Sequence, residues 1–134
     1  MSRLKAIMVA NAISCAGFGA LFLAIPDQVA MFLGAPPAPT LLITVLGAGL
    51  AINAIHLIYT ATGPLDSRAS VTYFSSGDFL WVAATLLLVL SKTWVNSPAG
   101  VAASLAVACM VGAFGFCQWR LRPSPADPKT RNAA

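Results

Sequence analysis

Four apolar runs, each long enough to cross a bilayer, constrain this chain more than anything else in it. A span needs about 20 predominantly apolar residues, and residues 4–25, 40–62, 71–90 and 98–119 each supply one. Lipid offers backbone groups no hydrogen-bond partner, so such segments must satisfy their own N–H and C=O groups as helices. The predicted fold is all-α: a four-transmembrane-helix bundle, up-down-up-down, formed by residues 1–122 as one domain. Composition agrees. Charged residues make up only 9% of the chain, against about 25% in soluble domains, and the mean hydropathy is +0.81.

The connections are read as residues 26–39, 63–70 and 91–97. Pro26, Pro36, Pro37 and Pro39 forbid a continuous helix through the first. Pro64 punctuates the second, and Pro98 suits the first turn of the last helix. Residues 27–34 (DQVAMFLG) carry an apolar stripe of Val29, Phe32 and Leu33, which predicts a short amphipathic turn along the membrane interface. Residues 123–134 read as a disordered cytoplasmic tail. The first segment starts basic, as a signal peptide does, but its apolar run is long and no clear small-x-small cleavage site follows, so it is read as a retained helix.

Orientation follows from the basic residues. Arg3, Lys5, Arg68, Arg120, Arg122, Lys129 and Arg131 flank one side, and Lys92 alone flanks the other. Lys and Arg favour the cytoplasmic side of short loops, which predicts cytoplasmic N and C termini. Tyr59 and Trp119 are then expected as anchors at the inner interface and Trp94 at the outer one. The net charge of +4 is not a nucleic-acid signature, because no basic patch interleaved with aromatics exists. Cys15, Cys109 and Cys117 are odd in number, form no CxxC and sit in apolar runs, so they read as small packing residues.

Polar side chains inside the spans carry the functional signal. Asp78 is the one charge between Ala69 and Ser91. A carboxylate at the bilayer centre costs roughly 2.5–3.5 kcal/mol on insertion scales, so such residues have a partner or a job. Asn11, His56 and Asp78 each lie about 10 Å in from the cytoplasmic side, counted at the helical rise per residue, and Asn53 lies one turn deeper. Stripes at helical spacing predict inward faces: Asn11, Ser14 or Cys15 and Phe18; Gly49, Asn53, His56 and Thr60; Ser75, Asp78, Trp81 or Val82 and Thr85; and Ser104, Ala108, Gly112 and Gly115. The expected polar core, a candidate proton or ligand site, is Asp78 paired with His56 and assisted by Asn53 and Asn11. Burial and a nearby imidazolium act on an aspartate in opposite senses, so its protonation state stays open. Gly47, Gly49, Ala108, Gly112 and Gly115 are expected to let helix backbones approach closely.

The bland reading of this layer is interhelical glue, since membrane hydrogen bonds average ~0.6 kcal/mol yet fix register. The sharper one is a site that binds a proton or a ligand. One histidine supplies a single axial haem ligand, and three or four converging zinc ligands are absent. No serine-hydrolase motif, phosphate loop or dinucleotide fingerprint occurs, so no catalytic residue, cofactor or metal is expected. Small multidrug transporters share the size and helix count but carry a first-helix glutamate, and this chain has no glutamate. A His/Asp pair beside Tyr73 and Trp81 would also suit a quinone carbonyl.

The runs FLAIPDQVAMFLGAPP (residues 22–37) and LLITVLGAGLAINAIHLIY (residues 41–59) resemble the DoxX-like group of small four-helix bacterial membrane proteins, and YFSSGDFLWV (residues 73–82) is similar to segments of related families. The resemblance covers the first three spans. It implies the four-helix fold, a bacterial inner membrane and, for some members, accessory roles beside quinone-linked oxidoreductases; it carries over no catalytic residue. The sequence-based expectation is a non-catalytic accessory or interaction subunit in contact with the lipid bilayer, as a homo-oligomer or within a larger membrane complex, and without nucleic acid. The alternatives are a proton-coupled small-molecule transporter using Asp78 and a quinone-linked redox component.

Overall fold

A computed structural model of the chain describes residues 2–64 and 67–124. It is all-helical, with α1 (Arg3–Ala24), α2 (Pro26–Leu33), α3 (Thr40–Thr62), α4 (Arg68–Ser91) and α5 (Pro98–Leu121). Four of the five, all but α2, are long and apolar enough to cross a membrane. The third span begins three residues earlier than expected because Ser67 caps it: its hydroxyl accepts the Ser70 N–H at 3.2 Å. Ser2 and Ser97 cap α1 and α5 in the same way. α4 stops at Lys92, which adopts the left-handed conformation. Most of the expected tail, residues 125–134, lies outside the described residues.

The expected interfacial turn is a two-turn helix, α2, started by Pro26 at its first position. Its buried residues are Val29 and Ala30, with Leu33 packed beside them, while Phe32 is 50% exposed. The buried face is thus centred on Val29 and Ala30, with Phe32 outside it. Phe32 faces away because the neighbouring surface, built by Ile43 and Trp94, meets the face centred on the smaller residues.

The long helices associate most extensively as two pairs, α1 with α3 and α4 with α5. Small residues make both approaches possible. A Cβ on Gly19 would lie 3.0 Å from the Gly47 carbonyl oxygen, and one on Gly47 would lie 2.9 Å from the Phe22 Cβ. Across the second pair, a Cβ on Gly115 would lie 2.9 Å from the Asp78 Cβ. The pairs are joined at both ends. At the end where α1 and α4 begin and α5 finishes, Leu4, Met8, Leu57, Val71 and Phe74 form an apolar cluster drawn from α1, α3 and α4. At the opposite end, Asn96 donates to the Ala35 and Lys92 carbonyls at 2.9 and 3.1 Å and accepts the Ala35 N–H at 3.0 Å. There Ser97 donates to the Phe32 carbonyl at 2.6 Å, and Thr40 donates to the Asp27 carboxylate.

Four hydroxyls within the spans are satisfied by their own helix backbone. Thr44, Thr72, Ser75 and Thr85 each donate to the carbonyl four residues earlier. This is how hydroxyl side chains are tolerated in a hydrocarbon medium.

Candidate functional site: a carboxylate shared between helix pairs

Asp78 is 6% exposed, and its partners are two carboxamides. Asn11 Nδ2 donates to both carboxylate oxygens, at 3.2 and 2.9 Å. Gln118 Nε2 donates to Oδ2 at 3.0 Å. Asn11 is 1% exposed and Gln118 fully buried, so α1 and α5 both close over a group on α4. These contacts are spread over two helices, α1 and α5, which pack most extensively against different partners.

The network continues beyond the carboxylate. Cys15 Sγ donates to Asn11 Oδ1 at 3.6 Å, and Asn53 Nδ2 donates to Cys15 Sγ at 3.5 Å. Asn53, Cys15, Asn11, Asp78 and Gln118 thus form one connected run through α3, α1, α4 and α5. Donor and acceptor senses agree along it: the thiol accepts from Asn53 and donates to Asn11, whose amide donates to Asp78. Among the described residues, one buried side-chain atom stays outside the run: Gln118 Oε1 has no hydrogen-bond partner.

His56 is not part of this arrangement, and the expected Asp78–His56 pair does not form. The imidazole is exposed and packs edge-on against Phe74, with ring centroids 4.9 Å apart, and obliquely against Tyr73 at 5.8 Å. It lines a surface cavity of about 390 Å³ with Tyr59, Thr60, Ser67 and Ser70. The physical reason is the rotation of α3. Its inward face is Ile43, Gly47, Ala54, Leu57 and Ala61. The stripe from Gly49 through His56 to Thr60 is turned from that face by about one residue, roughly 100°. Asn53 survives the rotation because it lies on the flank nearest α1. A quinone site built on a His/Asp pair loses its basis for the same reason.

The packing residues divide. Gly47 and Gly115 sit at close approaches within the two pairs of long helices, and Ala108 is buried at 4% exposure. A Cβ on Gly112 would make ordinary contact with Val82 at 3.4 Å, and Gly49 faces open space. Tyr59 is 78% exposed, and Trp119 carries the Arg122 guanidinium 3.4 Å above its ring. Trp94 is half-buried and packs against the cluster of Val29, Ala30, Ala38 and Ile43. Its left-handed backbone (φ 59°) turns it into the α2 cluster.

Gln118 is the member that sequence reasoning missed. It stands only three residues from the end of α5, too shallow by counting to meet Asp78. Side chains on a helix lean toward its N-terminus. α5 finishes at the end where α4 begins, so Gln118 leans inward while Asp78 leans outward, and the two meet. A signal existed: Gln118 extends the Ala108–Gly115 stripe by a further helical step.

Chemically, the site is a carboxylate satisfied by neutral amide donors. Among the described residues, no three His, Cys, Asp or Glu side chains converge as metal ligands. Comparison of the chain with family models, with curated proteins and with solved structures finds no match.

Proposed function

We propose that this chain is a four-pass protein of a bacterial inner membrane, up-down-up-down with cytoplasmic termini, acting as a non-catalytic accessory or interaction subunit. The bacterial source rests on the DoxX-like resemblance, and the orientation on the Lys and Arg that cluster where α1 and α4 begin and α5 finishes. One observation carries the reading: the buried carboxylate is held by Asn11 and Gln118 as a link between helix pairs. The polar side chains are used inside the fold, while Ile13, Ile52, Ile55, Leu80, Leu87 and Leu90 face outward, toward lipid or partner helices. Purification of the tagged chain from native membranes in mild detergent tests this. A stoichiometric partner or a defined homo-oligomer supports the reading, and a monodisperse monomer from every membrane condition refutes it.

A second reading, a proton-coupled carrier using Asp78, draws on the unpaired Gln118 Oε1. A protonated carboxyl needs an acceptor for its O–H. Turning the Gln118 amide end for end would supply one, because amide oxygen and nitrogen are nearly interchangeable in shape. In proteoliposomes, a flux driven by a pH gradient and abolished by Asp78→Asn would favour this reading over the first.

A further inference from the structure

We infer that the groove between the first turns of α1 and the last turns of α5 holds a phospholipid with an anionic headgroup. The groove measures about 470 Å³ and is lined by Arg3, Ala6, Ile7, Phe116, Cys117, Arg120 and Leu121. Its polarity is graded along the helix axes. Arg3 and Arg120 belong to the outermost turn of their helices, whereas Ala6, Ile7 and Phe116 lie about a turn deeper. A phosphodiester above acyl chains has the same gradient. Arginine at a helix end carries its charge to the interface while its methylenes cover apolar surface, and basic pockets between membrane helices are the usual seat of acidic headgroups.

Charge decides between occupants. None of the seven lining residues is acidic, and two further arginines stand at the same end. Arg122 is stacked on Trp119, and Arg68 donates to the Pro123 carbonyl at 3.4 Å. A neutral lipid would fill the apolar floor and leave the charge of the two lining arginines uncompensated. An anionic lipid fills the floor and neutralises the rim. The inference rests on the membrane placement of the chain and is independent of any accessory role.

The test uses the purified full chain carrying Cys109→Ala, so that Cys117 is the reactive groove thiol beside the buried Cys15. Native mass spectrometry of protein released from equimolar phosphatidylglycerol and phosphatidylcholine should show retained phosphatidylglycerol, preferred by roughly 5-fold for each arginine. Maleimide labelling of Cys117 should slow in nanodiscs containing phosphatidylglycerol relative to phosphatidylcholine alone. Arg3→Gln with Arg120→Gln should abolish both effects, and Arg68→Gln, outside the groove, should leave both in place. Ala6→Phe, which fills the floor and keeps the arginines, should lower phosphatidylglycerol retention while circular dichroism reports an intact fold. Equal retention of the two lipids, or a preference lost as readily in Arg68→Gln, overturns the inference. If removal of residues 125–134 speeds labelling in lipid-free detergent, the chain's own tail occupies the groove, and the inference is likewise overturned.

Discussion

Replacing Asp78 by leucine should damage the fold more than replacing the whole polar node. Leucine matches the shape of aspartate but accepts nothing. Asn11 Nδ2 and Gln118 Nε2, both on side chains at or below 1% exposure, would lose their acceptor. Each stranded amide costs about 1–3 kcal/mol by soluble-protein measurements, about 2–6 kcal/mol for the two. Membrane double-mutant cycles set a floor: three N–H···O contacts at ~0.6 kcal/mol each give ~2 kcal/mol. Asp78→Asn should be mild, within about 1 kcal/mol of the parent, because the new amide keeps one acceptor and can donate to Gln118 Oε1, which now has no partner. The triple change Asp78→Leu, Asn11→Leu, Gln118→Met removes donors and acceptor together. It should return to within about 1 kcal/mol of the parent, since exchanging a buried polar cluster for well-packed apolar residues is often neutral or stabilising. Reversible unfolding by SDS in mixed micelles, followed by circular dichroism and tryptophan fluorescence, measures each variant. A triple variant as unstable as the three single changes summed would refute the reasoning, as would Asp78→Asn matching Asp78→Leu.

Two further outcomes follow from close approaches and from the far clasp. Gly115→Ala should cost about 1–3 kcal/mol in the same titration, because its methyl meets the Asp78 Cβ at 2.9 Å and no flexible side-chain end can yield there. Gly49→Ala, facing open space, should not destabilise. Asn96→Ala removes three hydrogen bonds that tie Ala35 and Lys92 together. It should speed amide hydrogen exchange around residues 33–36 while leaving exchange near Asn11 unchanged; acceleration at both ends would mean that the two clasps are not independent.

The spans were legible because lipid compels long apolar stretches to be helical, whatever packs around them. Helix phase was legible only where a polar group broke an otherwise apolar surface. On α4, Ser75 and Asp78 mark the inward face, and both are buried. On α1, Asn11 and Cys15 do the same. On α3 the polar groups mislead, because Asn53 and His56 lie beside the buried face and not on it. Its inward face is Ile43, Gly47, Ala54, Leu57 and Ala61, and its outward face includes Ile52, Ile55 and Ile58, so hydropathy cannot tell interior from lipid. His56 then drew the predicted face to the wrong side. Close to the helix end, the exposed imidazole packs against Tyr73 and Phe74 without an internal partner.

Depth obeyed a rule that residue counting alone omits. α1 and α4 both begin at the same end of the bundle, so their side chains lean the same way and by similar amounts. Counted depth therefore brought Asn11 and Asp78 together correctly, and the two are bonded. α3 and α5 finish at that end, so their side chains lean toward the bundle interior. Gln118 consequently reaches past its counted position to Asp78. Asn53 bonds to Cys15, one turn beyond Asn11 and on the side away from the carboxylate. The order of partners along the polar run, Asn53 to Cys15 and Gln118 to Asp78, thus follows from helix direction combined with side-chain length. Adding the lean to the count explains how Gln118 reaches the buried carboxylate, while the rotation of α3 is what keeps His56 from it.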